Sequence, residues 1–401
     1  MGVRKTLKRL YLKYCISVKE GQCLFVPHPG FTRLDKASII NYKADNCLIF
    51  VRYLLDNKLY QGKEIFVVST TPENAAKEQD FCKKNYPDAP ITIVPNYPKE
   101  IKRIWAASQN VMCSEDRFPY EKKKGQKYIT LSYYPISLKN DYFEPTDPVM
   151  GERLKFASEI DMIVSSSLIN SQMDSAAFSI SFGKFLPIGK CRSDVLMQKE
   201  DVGYVRDYLQ QLCLNYSFKK VVLYTPTHRD YELANFDVKR SILGFDVDKE
   251  RFSKFLKSHG ILIVCKLHPR QNAEVVNGDL PEGVVNFTGH EQFGLIELMK
   301  ASDMLMTDYT SAYVDYLQLD KPVIFNLYDL DKYEQTRGLS FHPFERICAG
   351  EIFHDEQSFY QAMEDTLKHP EKYELKRKEI LEEMITYRGN VCEETYKTIF
   401  S

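Results

Sequence analysis

MKASDMLMTDYTSAYVDYLQLDKPVIFNLYDLD, residues 299–331, is the stretch whose reading decides the fold. Asp303 to Met306 reads as a short buried strand, Ala312 to Leu319 as a helix, and Pro322 to Asn326 as a second strand entered through a proline. Between the first strand and the helix stand Thr307, Asp308, Tyr309, Thr310 and Ser311, a polar turn of cap-forming residues. A strand that ends in Thr-Asp and restarts as a helix capped by Thr or Ser exposes unpaired backbone N–H groups, with the positive end of a helix dipole behind them. Such a turn serves many α/β loops as a plain cap, and it also seats a phosphate.

Outward from that unit the same pattern repeats. KKVVLYTPTHRD places a strand at Val221 to Tyr224 that must turn out at Pro226, leaving Thr227, His228 and Arg229 at its carboxyl end. A helix from Lys249 to His259 stops at Gly260, and ILIVCKLHPR supplies a second, wholly apolar strand that ends in His268 and Arg270. Any one of these four side chains could pair with a surface acid, but together they bring two imidazoles and two guanidiniums toward one phosphate seat. Arginine's planar fork suits phosphate oxygens, and histidine can donate to a phosphate or protonate a leaving one. Beyond the opening stretch, Tyr328, Asp329, Tyr333, Arg337 and Ser340 form a polar loop. It is followed by a last pair of charged packing helices, Glu356 to Lys368 and Lys372 to Tyr387.

The first half alternates in the same way. LFVPH, LIFVRYLL, EIFVVST, ITIVP, NVMCS, KYITLSYY and DMIVSSS supply apolar runs grouped as strands, with helices expected from Lys99 to Ser108 and near Gly151 to Glu159. The alternation predicts an α/β chain with parallel sheets. Loops leaving these strands make His28, Lys139, Arg192 and Asp194 candidate site residues, although a lone histidine after a strand is often purely structural.

At 401 residues, two domains of about 200 residues each are expected. A formal net charge of -1 excludes a globally basic nucleic-acid binder, so any anion site is built locally. Ten cysteines without a CxxC pair suit a reducing cytoplasm. No run approaches the roughly 18 apolar residues of a membrane span, and no signal peptide is expected. The first 19 residues carry six basic side chains and no acid, with Val3, Leu7, Leu10, Tyr11, Tyr14 and Val18 at helical spacing. This suits a helix lying on an anionic leaflet, or equally a first helix packed on its own domain with a solvated basic face. Met-Gly-x-x-x-Thr at the start also fits a myristoylation pattern.

The ordered set YTPTHRD, KLHPR, ASDMLMTDYTSAYVDYLQLDKPVIF, YDLDKY and RGL resembles the CDP-glycerol glycerophosphotransferase family, which includes teichoic-acid primases and polymerases and related capsule enzymes. The resemblance runs from about Asn41 to Gly350, with weaker echoes in NYKADNCLIFVRYLL, GQKYITLSYYPISLK and IGKCRSDVL. It implies a GT-B fold of two Rossmann-like domains facing a cleft. The expected division is a membrane-contacting helix over 1–20, an acceptor-side domain over 21–200, a donor-binding domain over 201–355, and packing helices over 356–401.

The resemblance also implies the chemistry: transfer of glycerol phosphate or ribitol phosphate from CDP-glycerol or CDP-ribitol to a hydroxyl of a glycan or lipid-linked acceptor, with release of CMP. No covalently bound cofactor and no metal are expected, and the place of work is the inner face of the cell membrane. Carried over by position, the donor-binding candidates are Thr227, Arg229, Arg270, Asp308, Thr310, Ser311 and Arg337, and the catalytic candidates are His268, His228, Tyr134 and His28. Tyr134 falls in the segment where the family carries a histidine taken as the base. A phenol is a poor base at neutral pH, so either His28 or Asp35 takes the proton or the reaction differs. Two alternatives stay open: a GT-B glycosyltransferase using a nucleotide sugar, and a non-catalytic nucleotide-binding member of a polymer-assembly complex.

Overall fold

The computed structural model describes residues 10–27, 38–69, 71–114, 122–131, 138, 159–178, 180–227, 229, 243–267, 280–287, 293–387 and 389–400. Of these, unit 1 takes those within Met1–Tyr134, Thr146–Val195 and Thr386–Ser401, and unit 2 those within Pro135–Pro145 and Leu196–Ile385.

Unit 1 holds a parallel sheet in the order β3-β2-β1-β4-β5-β6-β7. Its strands are β1 (Lys19–Val26), β2 (Glu64–Val68), β3 (Ile91–Val94), β4 (Ser108–Cys113), β5 (Lys127–Thr130), β6 (Met162–Ser165) and β7 (Phe185–Pro187). The apolar run LIFVRYLL is not a strand. It lies in a helix, Asn46–Asp56, because Asp45 accepts the N–H of Leu48 at 3.1 Å and so caps a helical start. Eight of that helix's residues are buried, and so wide an apolar face cannot be told from a buried strand by composition. The helix expected near Gly151 to Glu159 lies largely outside the described residues.

Helix Pro72–Asn85 of this unit buries a carboxyl, that of Glu78, whose Oε1 has no hydrogen-bond partner among the described residues. Burial pushes this acid from 4.5 up to about 7, against the opposing pull of a Ser69 hydrogen bond. Because the folded state holds the proton more tightly than the unfolded chain, the group costs stability as pH rises from 4.5 through about 7. The full cost is on the order of 3 kcal/mol. Glu78→Gln is therefore expected to raise unfolding stability at pH 8 by about 2 kcal/mol, with the gain vanishing near pH 4. Urea titrations at the two pH values check this.

Unit 2 holds the second parallel sheet, in the order β10-β9-β8-β11-β12-β13. The strands are β8 (Lys220–Thr225), β9 (Ile261–Cys265), β10 (Val284–Asn286), β11 (Met304–Thr307), β12 (Val323–Asn326) and β13 (Glu351–Phe353). The Lys249–His259 helix ends as its sequence predicts, with Gly260 in the left-handed conformation at φ 61°. Val222, Ile263, Met306, Ile324 and Phe353 of the sheet pack with Phe252, Leu256, Phe359 and Met363 of the helices in one buried cluster. The polar stretch after β12 is not a plain loop, since Leu330–Thr336 is helical. After β13 come three helices rather than two: Glu356–Lys368 and Glu374–Met384 in unit 2, and Val391–Phe400 in unit 1.

Close packing at the far edge of this sheet gives a second expected result. A Cβ added to Gly350 would stand 1.8 Å from the Val323 carbonyl oxygen, and backbone inside a ladder cannot move aside cheaply. Gly350→Ala is expected to lower unfolding stability by about 3 kcal/mol, read as a lower urea midpoint at an unchanged slope.

Candidate functional site

In unit 2, β9 and β10 lie to one side of β8 and β11 to β13 to the other, so the strand order reverses between β8 and β11. Chains leaving neighbouring strands in opposite directions open a crevice at the carboxyl edge, the place where open α/β sheets hold ligands. The two strands are in register, with Leu223 opposite Leu305 and Thr225 opposite Thr307. Thr227 and Asp308 therefore emerge side by side.

Asp308 is fully buried and accepts from both the backbone and the side chain of Thr227. Its Oδ1 and Oδ2 lie 2.9 and 3.0 Å from the Thr227 N–H nitrogen, and Oδ1 lies 2.6 Å from Thr227 Oγ1. Arg229, 4% exposed, closes the arrangement. Its Nη1 donates to Asp308 Oδ2 at 2.7 Å and to the Thr227 carbonyl at 2.6 Å. Its Nε and Nη2 donate to Asp329 Oδ2 and Oδ1 at 2.8 and 3.0 Å, a bidentate fork. Asp329 follows β12, so one guanidinium ties together the loops that leave β8, β11 and β12.

Aromatic rings enclose the cluster. Tyr309 stacks on Tyr333 with ring centroids 4.1 Å apart and donates its hydroxyl to Asp329 Oδ1 at 3.1 Å. The guanidinium lies 5.0 Å from the Tyr309 centroid and 4.9 Å from that of Tyr333. Burial opposes the charge on Arg229, but Asp308 and Asp329 more than offset it and hold the group ionised, above its ordinary value. Burial, with the Asp329 carboxylate beside it, pushes the Tyr309 phenol far up, so it stays a donor.

Past this buried strut the chain reaches Thr310 and Ser311, both half-buried. The Thr310 hydroxyl accepts from the Ala312 N–H at 3.4 Å, a long bond, and Ser311 occupies the cap position without a side-chain cap bond. The Ser311 hydroxyl has no partner among the described residues. The helix behind them, Ala312–Leu317, is only six residues long, shorter than expected. A helix this short carries little macrodipole, so what the turn presents is its hydroxyls and local N–H groups.

Of the donor-side candidates, Thr227, Arg229, Asp308, Thr310 and Ser311 come together here. Arg337 ends the Leu330–Thr336 helix, where its N–H bonds the Tyr333 carbonyl at 2.8 Å. His228, His268, Arg270, His28, Tyr134, Asp35 and Lys139 lie outside the described residues. Two unit 1 candidates make bonds within their own unit. Asp194 caps the Val391–Phe400 helix, accepting from the N–H groups of Val391 and Cys392 at 2.9 and 2.7 Å. Arg192 donates its backbone N–H to Asn46 Oδ1 at 3.0 Å. Asp329 and Tyr309 were missed as site residues. The available signal was the repetition of a strand followed within three residues by an aspartate, seen after both β11 and β12. Among the described residues no cluster of three or more His, Cys, Asp or Glu is placed to hold a metal.

Two parallel sheets, each wound with helices and each reversing its strand order beside its first strand, make an α/β fold of the GT-B class. A solved variant of the wall teichoic acid polymerase TagF, soaked with CDPG, superposes with a TM-score of 0.73, covering 95% of this chain and 89% of that one; at 21% identity the likeness is one of fold. The chain belongs to the CDP-glycerol:poly(glycerophosphate) glycerophosphotransferase family, whose model matches residues 40–401. The Staphylococcus aureus teichoic acid ribitol-phosphate polymerase TarK is 26% identical over 216 residues, 52% of this chain and 39% of TarK. A Bacillus spizizenii teichoic acid glycerol-phosphate primase is 36% identical over 131 residues, 32% of this chain and 31% of the primase. The matches span about a third of the length of these two curated relatives.

Proposed function

We propose that the chain moves a polyol phosphate, glycerol phosphate or ribitol phosphate, from a CDP-linked donor to a hydroxyl of a glycan or lipid-linked acceptor in teichoic acid or capsular polysaccharide synthesis. The observation that carries this reading is the turn at Thr310 and Ser311, held at the strand-order reversal of the unit 2 sheet. Hydroxyls and backbone N–H groups presented there suit the oxygens of a diphosphate. Family membership supports the donor class, and His228, His268 and Arg270 follow β8 and β9 in sequence.

In this reading the acceptor oxygen attacks the distal phosphorus, a new P–O bond forms, and the bond to the CMP oxygen breaks. The leaving phosphate takes up negative charge, which His268, His228 and the Ser311 turn offset. The acceptor's proton passes to a base, for which His28 and Asp35 are the candidates. Positioning and charge stabilisation supply most of the rate in phosphoryl transfer, so the reaction tolerates a weak base.

The same reading places the protein in the cytoplasm, peripheral on an anionic membrane surface. Supporting it, none of the ten cysteines is joined in a disulfide, and Leu10, Tyr11 and Tyr14, in a helical stretch beside Lys13, are 45%, 54% and 72% exposed. No described helix is long and apolar enough to cross a membrane. Incubation with CDP-glycerol and with CDP-ribitol in turn, in the presence of a crude acceptor extract, tests the proposal. CMP release from one of them is expected, and its absence with both would sink the reading.

A further inference from the structure

Arg229 was expected among the phosphate ligands, and its surroundings assign it other work. Four hydrogen bonds occupy four of the five guanidinium donors, all toward groups of its own unit. Two carboxylates face one guanidinium, so the cluster has no positive charge left to offer a diphosphate. The bonds do link, across the strand-order reversal, the three loops that follow β8, β11 and β12. Asp308 and Tyr309 are both held by this linkage, and they immediately precede the turn of Thr310 and Ser311.

We propose that Asp329 and Arg229 are positioning residues, a charge-paired strut that sets the Thr310–Ser311 turn for the donor's phosphates without either residue touching the donor. The inference rests on the donor reading above. A misplacement of about 1 Å at such a turn is enough for a loss of roughly 100-fold in turnover.

The two possible roles of Arg229 give opposite results in one variant. If Arg229 were the phosphate ligand, Asp329→Asn would release it from a competing carboxylate, and CDP would bind as well as before or more tightly. If the pair is a strut, the amide introduced by Asp329→Asn turns an N–H toward guanidinium N–H groups, the fork opens, and binding weakens.

Calorimetric titration with CDP is therefore run on the full chain and on Asp329→Asn, Arg229→Lys and the double variant, below their melting temperatures. The strut predicts about tenfold weaker CDP binding in each single variant. The double variant should lose no more than about twofold beyond either, because the two residues act as one unit. Tyr309→Phe, which removes only the hydroxyl bond to Asp329, keeps the test open if the charge variants do not fold, and about threefold weaker binding is expected of it. CDP affinity unchanged or improved in Asp329→Asn, or unchanged in Tyr309→Phe when that is the variant that folds, overturns the proposal. A wild-type chain that binds CDP but never releases CMP from a CDP-polyol retires the transfer reading alone, since the strut is still read by calorimetry.

Discussion

CMP release from the productive CDP-polyol is expected to fall about 100-fold to 10,000-fold when His268 is replaced by alanine, while Ser311→Ala costs roughly tenfold to 100-fold. The difference follows from what each group supplies. A positioned imidazole that donates to, or protonates, a departing phosphate contributes in the range of about 100-fold to 10,000-fold. A hydroxyl bonded to a charged oxygen is worth about 1.5 to 3 kcal/mol, which is the smaller factor. Initial rates of CMP formation at saturating donor check both values. A His268→Ala protein that keeps more than a tenth of wild-type turnover removes that residue from the chemistry, and an unchanged Ser311→Ala removes the turn.

Arg229→Met should lower unfolding free energy by about 4 kcal/mol. The guanidinium and both carboxylates are almost wholly buried, with side-chain exposures of 3%, 1% and 7% for Arg229, Asp308 and Asp329. Removing one partner of a buried ion pair leaves an uncompensated charge in a low-dielectric interior, at a cost of about 3 to 5 kcal/mol. Methionine matches much of the lost volume, so cavity formation adds little and the measured loss is mainly electrostatic. Urea unfolding of Arg229→Met beside Arg206→Met gives the contrast. Arg206 also bonds an aspartate, Asp303, at 2.5 Å, but the pair is about one-third exposed, and a loss of no more than about 1 kcal/mol is expected there. Equal losses for the two variants would mean that burial is not what gives the Arg229 cluster its strength.

Much of unit 2 was legible before any coordinates. The Lys249–His259 and Glu356–Lys368 helices end where their caps and Gly260 say they should, and the apolar runs at Val221, Ile261, Met304 and Val323 are strands. Local chemistry decides these elements: a strand covered on both faces must be apolar throughout, and a helix that meets a left-handed glycine stops. The turn after β11 was legible for the same reason, since Thr-Asp-Tyr-Thr-Ser cannot continue a buried strand.

Other features depended on partners far away in sequence. LIFVRYLL became a helix because Asp45 is held in place to cap it, its Oδ1 also accepting from Ser114 Oγ at 2.7 Å. Asp194 found its use in a helix nearly 200 positions downstream. Arg229 found Asp329 100 positions away, in a buried two-point pairing that neither loop announces by itself.

By itself, then, the sequence determined most of the strands and helices of unit 2, the parallel α/β class and the polar character of the loops at the strand ends. Tertiary structure alone decided which charged side chain faces which. A charge in a loop is satisfied by whatever the folded chain brings within about 3 Å of it, and that distance is set by strand order and burial, which no local run of residues encodes.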